Sequence, residues 1–284
     1  MESIREYFSS PFVIRGLAAT ILIAINAGVA GSFATFRNST FLIAGASHAA
    51  LAGAAAIILF HSIGVMTGVD PMIGGGISAI LLTLLAAYAG YSGKTGDVDT
   101  AIGVGFAFSM AVAVLIISLI PESAARVWAI LLGDLLLVTY SDLRLMSLAT
   151  VIVVAAFMLF SSEFLFITFD IGGAKAFGIR AERYNLLMFG LIGLSVAVML
   201  KGIGAILVFA VMVAPPAASM LFARSVGRVI AGAVLIALSS GILGIFVSYF
   251  INISVSALTA FFAASAYFIG LVILFVQKKR FGSV

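Results

Sequence analysis

Residues 168–183 read TFDIGGAKAFGIRAER, the longest polar interruption in a chain that is otherwise mostly apolar. Asp170 suits a helix N-cap, because its carboxylate accepts the unpaired backbone N–H groups of a first turn. Gly178 suits the C′ position, where the chain leaves a helix in the left-handed conformation. Between them, Ala174, Lys175, Ala176 and Phe177 fill about two helical turns, with Lys175 pointing outward. Arg180 and Arg183 follow, and a basic loop between apolar spans belongs on the cytoplasmic side. The stretch reads as a short capped helix outside the membrane, joined to spans at both ends. Such a helix is a handle on which a cytoplasmic partner can push. An ordinary interhelical loop can carry the same cap-and-glycine pattern, so both readings stay open on this stretch alone.

Composition sets the class around it. Of 284 residues, 63% are hydrophobic and only 9% charged, against roughly 25% charged in soluble domains. So few charges cannot cover a water-exposed surface, and the chain reads as a polytopic membrane protein. The net charge of +4 is no nucleic-acid signature, because the 15 Lys and Arg are scattered between apolar runs. There is no cysteine, which excludes disulfides and thiolate metal sites. The first apolar run follows MESIREYF and is too long for a cleaved signal, so no signal peptide is expected.

The chain is expected to be a single all-α transmembrane domain, 1–284, with about nine spans. They lie near 12–36, 40–64, 71–92, 98–120, 143–162, 183–201, 203–222, 226–250 and 254–277. A shorter apolar piece, Val127 to Val138, either dips in without crossing or adds a tenth span. Alternate loops hold the positive charge: Arg37; Lys94; Lys175, Arg180 and Arg183; Arg224 and Arg228; Lys278, Lys279 and Arg280. This places the C-terminus and the 168–183 loop in the cytoplasm. Nine spans then put the N-terminus outside, although Arg5 and Arg15 pull mildly the other way.

Few side chains in the spans carry chemistry. In FLIAGASHAALAGAAAIILF, Gly45, Ala49 and Gly53 recur at four-residue spacing and form a small-residue stripe for close helix packing. His48 sits beside it. An ionisable group in a span is a functional candidate; the plainer reading is a neutral ring bonded to a backbone carbonyl. Ser47 beside it either bonds a carbonyl or lines a polar path. His61, near the far end of the run, suits an interfacial role. Pro215-Pro216 is expected to break its helix, either at a translocation path or as a packing kink. Gly93-Lys94-Thr95 ends like a phosphate-binding P-loop, but Tyr88 stands where the first glycine belongs and a membrane span precedes it. No ATPase site is therefore expected. Intramembrane carboxylates are nearly absent: Asp134 and Asp142 flank the short piece, and Glu122 and Glu163 lie at ends. That scarcity weighs against an ion-coupled secondary carrier.

Four stretches resemble the permease subunits of zinc- and manganese-type ABC importers. They are GVAGSFATFRNSTFLIAGASHAALAG (28–53), GDLLLVTYSDL (133–143), FDIGGAKAFGI (169–179) and GIGAILVFAVMVAPPAAS (202–219), in the family's order and spacing. The resemblance implies a type II importer permease fold in the cell membrane. It implies a permease homodimer, two cytoplasmic ATPase subunits and an extracellular solute-binding protein that delivers the ion. It makes Asp170, Ala174, Lys175 and Gly178 the coupling helix, and it makes His48 a metal ligand in a pore. No tightly bound cofactor is implied, only a transported divalent metal. One departure stands out: the family usually carries an aspartate one turn before the histidine, and here that residue is Ala44. A lone histidine is far short of a metal shell, which leaves the ion's identity open. The rival readings are a permease for iron chelates or cobalamin, a secondary carrier, and a non-transporting scaffold.

Overall fold

Long runs of Ala, Leu, Ile and Val offer lipid no backbone partner, so each run must satisfy its own N–H and C=O groups by coiling. The computed structural model describes residues 2–65, 68–92, 98–119, 130 and 132–281, and every regular element among them is helical. In chain order these are α1 Glu2–Ser9, α2 Pro11–Phe36, α3 Phe41–Ser62, α4 Pro71–Ser92, α5 Val98–Leu119, α6 Tyr140–Leu159, α7 Ser161–Phe169, α8 Ile171–Ala176, α9 Ala181–Met220, α10 Val226–Ile251 and α11 Val255–Phe281. Eight helices among the described residues are long and apolar enough to cross a membrane. The last two expected segments before α10 form one assigned helix, α9, of which Ala181–Leu200 is long enough to span.

The direction of each crossing follows from its contacts. Arg37, just past α2, touches Asn185 near the start of α9. Pro216, near the end of α9, lies against Gly31. Both ends of α9 are therefore at one face of the bundle. Its middle is at the other face: the Gly202 carbonyl accepts a bond from Ser256 Oγ at 3.3 Å, at the start of α11. The chain thus turns back within α9, at Gly204, whose φ of 77° and ψ of 163° are not helical. Leu207–Met220, a shorter apolar helix, runs back toward the first face. At 1.5 Å per residue it rises only about 21 Å, less than the roughly 30 Å hydrocarbon core. Naming the basic face the inner one, as the positive-inside rule expects, puts the C-terminus and the α7–α9 connection on the inner side and α1 on the outer side.

Pro215 and Pro216 do not break the helix. Only Gly204 departs from helical geometry within α9. The prolines remove the donors that Val211 and Met212 would receive, and the freed Met212 carbonyl lies against Gly31, in a π-helical turn of α2 at Ala27–Gly31. Neighbouring backbone thus accommodates the proline pair, as membrane helices allow. The fifth span begins at Tyr140, three residues earlier than expected, because Thr139 and Asp142 form a reciprocal capping box. The small-residue stripe packs as expected: Gly53 faces Gly74 of α4, and Gly45 faces Leu82 and Ile102. Arg15 lies at the outer face with its guanidinium 5.2 Å from the Tyr140 ring, a favourable site for an outward cation. Lys94, the Gly93-Lys94-Thr95 motif, Glu122 and, within 127–138, residues 127–129 and 131 lie outside the described residues. The described end of that piece, Leu135–Leu137, is a single tight turn that packs against Gly16 at the outer face.

Candidate functional site

The connection between α7 and α9 is built as a capped turn. Asp170 Oδ1 accepts the Gly173 N–H at 2.7 Å and opens α8. At the other end the Gly178 N–H donates to the Lys175 carbonyl, and the Ile179 N–H to the Ala174 carbonyl, each at 3.0 Å. That pair of bonds is the Schellman closure, and it requires Gly178 at positive φ, here 79°. Ala174 is fully buried and seats the helix on the bundle. Lys175, Gly178, Arg180 and Arg183 face outward. Phe177, between the candidate spans, is 80% exposed, with its ring 5.8 Å from that of Phe166. Arg180 and Arg183 line a cleft of about 450 Å³ with Glu163 and Tyr184 beneath them. A rigid basic turn with one projecting ring is a surface shaped for a protein partner. Sequence patterning located the caps. The exposure of Phe177 was not legible, because an aromatic residue in an apolar chain reads as core.

His48 lies on α3, about two turns from its first residue. His48 Nδ1 is 2.9 Å from the Ala44 carbonyl and 3.5 Å from Ser47 Oγ. The carbonyl can only accept, so Nδ1 carries the proton in the neutral ring and Nε2 keeps the lone pair. The ring meets the edge of Phe106 on α5, centroids 4.5 Å apart. His48 is half-buried, whereas Ser47 is fully buried and its hydroxyl donates to the same Ala44 carbonyl at 2.9 Å. Ser47 thus faces its own helix rather than an open path. Among the described residues no three His, Asp or Glu side chains gather in a metal-holding group. One chain therefore offers one nitrogen ligand here. Pro215 and Pro216 are buried on the returning limb of α9, against α2, and the structure does not bring them to His48. His61 ends α3 at the outer face, with Nε2 buried and without a hydrogen-bond partner.

Two features had no sequence signal strong enough to find them. Asn26 on α2 donates to Thr150 Oγ1 on α6 at 2.7 Å, a buried polar tie between spans. Arg37 is tucked under the α7–α9 connection instead of lying free in a loop. Burial pushes its guanidinium below the usual arginine range.

The manganese transport system membrane protein MntC of Listeria monocytogenes is 28% identical over 279 residues, covering 98% of this chain and 95% of the relative. The manganese import system permease protein ScaB of Streptococcus parasanguinis is 28% identical, covering 95% and 93%. The high-affinity zinc uptake system membrane protein ZnuB of Haemophilus influenzae is 25% identical, covering 84% and 87%. Among solved structures, PsaBC from Streptococcus pneumoniae in complex with Fab superposes with a TM-score of 0.79 at 26% identity, covering 94% of this chain and 95% of that one. The sequence pattern of the ABC 3 transport family matches residues 9–274. The chain is a multi-pass membrane protein and belongs to the ABC 3 transport family.

Proposed function

We propose that the chain is the membrane permease of an ABC importer that moves a divalent metal ion, manganese or zinc. It has no ATPase site of its own in this reading. A separate cytoplasmic ATPase closes on ATP, the α8 turn receives that motion, and the spans alternate between outward- and inward-facing states. Two permease chains pair in the membrane, and an extracellular solute-binding protein delivers the ion. The observation that carries the reading is the Asp170–Gly178 turn, capped at both ends and presented on the basic face. Whole-length similarity to manganese and zinc permeases supports the cargo. His48 supplies a neutral nitrogen ligand, and the second permease chain or water completes a weak, transient shell. No resident cofactor takes part.

The test is uptake of radioactive manganese and zinc by vesicles holding the permease with its ATPase and binding protein. ATP-dependent uptake of either ion supports the reading. ATP-independent uptake would point to a secondary carrier, and uptake of a chelate alone to the iron-chelate or cobalamin class. Because the chain lacks cysteine, a Lys175→Cys variant reports topology directly. Labelling of that thiol from the outer side alone would sink the coupling role.

A further inference from the structure

Arg37 closes α2 at the cytoplasmic face. Its Nη1 donates to the Ile167 carbonyl at 2.9 Å, and its Nη2 to Asn185 Oδ1 at 3.5 Å. Ile167 lies in the last turn of α7, three residues before Asp170. Asn185 lies early in α9, just after Arg183, and is 5% exposed. One guanidinium therefore holds both stems of the α8 turn. The remaining contacts point the same way: Phe33 packs edge-on to Phe164, and Phe36 lies 6.2 Å from Phe169. The short helix α7 thus rides on the end of α2.

The chemistry selects arginine. The Ile167 carbonyl is at a helix C-terminus, where intrahelical donors run out and the dipole favours a cation. A guanidinium fork reaches two acceptors in different directions, whereas an ammonium is a single point. Both hydrogen-bond partners are neutral, so the arginine is placed for geometry and not to cancel a charge. On its other side, Arg37 leads through a tight turn, with Asn38 at a φ of 55°, into α3. Ser39 Oγ bonds back to the Arg37 carbonyl at 3.3 Å and stiffens that elbow. His48 follows in the same continuous helix.

We propose that Arg37 is a positioning residue, a strut through which movement of the α8 turn reaches α3 and His48. The proposal rests on the reading of α8 as the coupling helix. It is a packed chain of contacts with one removable link, so it can be tested by mutational coupling and not by proximity alone.

The experiment uses the complete transporter in vesicles, with manganese uptake and ATP hydrolysis measured together. Arg37→Ala is expected to assemble and hydrolyse ATP while ions moved per ATP fall on the order of tenfold. Arg37→Lys, which keeps the charge but not the fork, falls by less. Asn185→Ala also falls, and Arg37→Ala/Asn185→Ala is no worse than Arg37→Ala, because both changes cut one link. Unchanged ions per ATP in Arg37→Ala, or additive losses in the double variant, overturn the strut. If Arg37→Ala does not assemble, Arg37→Lys and Asn185→Ala decide, and unchanged ratios in both overturn it. Thiol cross-linking from Lys175→Cys to the ATPase separates the two ideas. Its absence sinks the coupling reading and the strut with it; cross-linking with unchanged ions per ATP sinks the strut alone.

Discussion

Gly133 and Gly204 meet backbone to backbone at the outer face of the bundle, and both hold positive φ, 60° and 77°. A Cβ on either residue would strike the other's main chain. This contact fixes the point at which α9 turns back on itself. Gly204→Ala is therefore expected to cost about 1–3 kcal/mol from backbone strain alone, with the collision added. A thermal melt of the detergent-solubilised chain should show a lower transition. A melt indistinguishable from the parent would mean that the reversal does not depend on this glycine.

The cap at the other face makes a functional prediction. Gly178 has open space where a Cβ would go, but its φ of 79° strains any side chain and most of all a β-branched one. Gly178→Val should insert into the membrane normally and lose stimulation of ATP hydrolysis by the binding protein. Membrane fractionation and a phosphate-release assay measure the two halves. Full stimulation in the variant would rule out a strict need for this closure.

Phe177 tests the surface itself. It is largely exposed, so Phe177→Ser should leave folding intact. As a projecting aromatic anchor it should weaken binding of the ATPase subunit by on the order of tenfold or more. Affinity measured in detergent with purified subunits reads this directly. Equal affinity would place the contact elsewhere on the basic turn.

His48 tests the cargo. His48→Ala should lower uptake of manganese and zinc strongly while the complex with the ATPase still assembles. Ala44→Asp should tighten metal binding, because it sets a carboxylate one turn away on the same helix face. Radioactive-ion uptake and equilibrium dialysis distinguish rate from affinity. Should His48→Ala carry both ions at the parent rate, the histidine serves only the Ala44 carbonyl and the Phe106 ring.

Much of this architecture was legible in the order of residues. Apolar runs with little charge can only coil in lipid, so the rough limits of most spans followed from run length, although 183–201 and 203–222, expected as two spans, form the single assigned helix α9. Arginine and lysine between alternate runs set the expected sidedness. Asp170 and Gly178 marked the ends of α8, because capping depends on a few consecutive residues and nothing distant. Prolines misled for the opposite reason. Pro215 and Pro216 remove local donors, but whether that breaks a helix depends on the backbone packed beside it, and α2 supplies Gly31 there. The break sits instead at Gly204, where Leu132 and Gly133 crowd the main chain.

The sequence alone determined the class and the capped turn at 170–178, since each follows from local composition or short-range hydrogen bonding. Only the tertiary structure decided the partners of His48 and Arg37. His48 has its proton held by Ala44 and its face covered by Phe106 from another helix. Arg37 joins residues 130 and 148 positions away along the chain. A charge in a loop has no intrinsic address; its energy depends on which distant acceptors the folded bundle brings within about 3 Å.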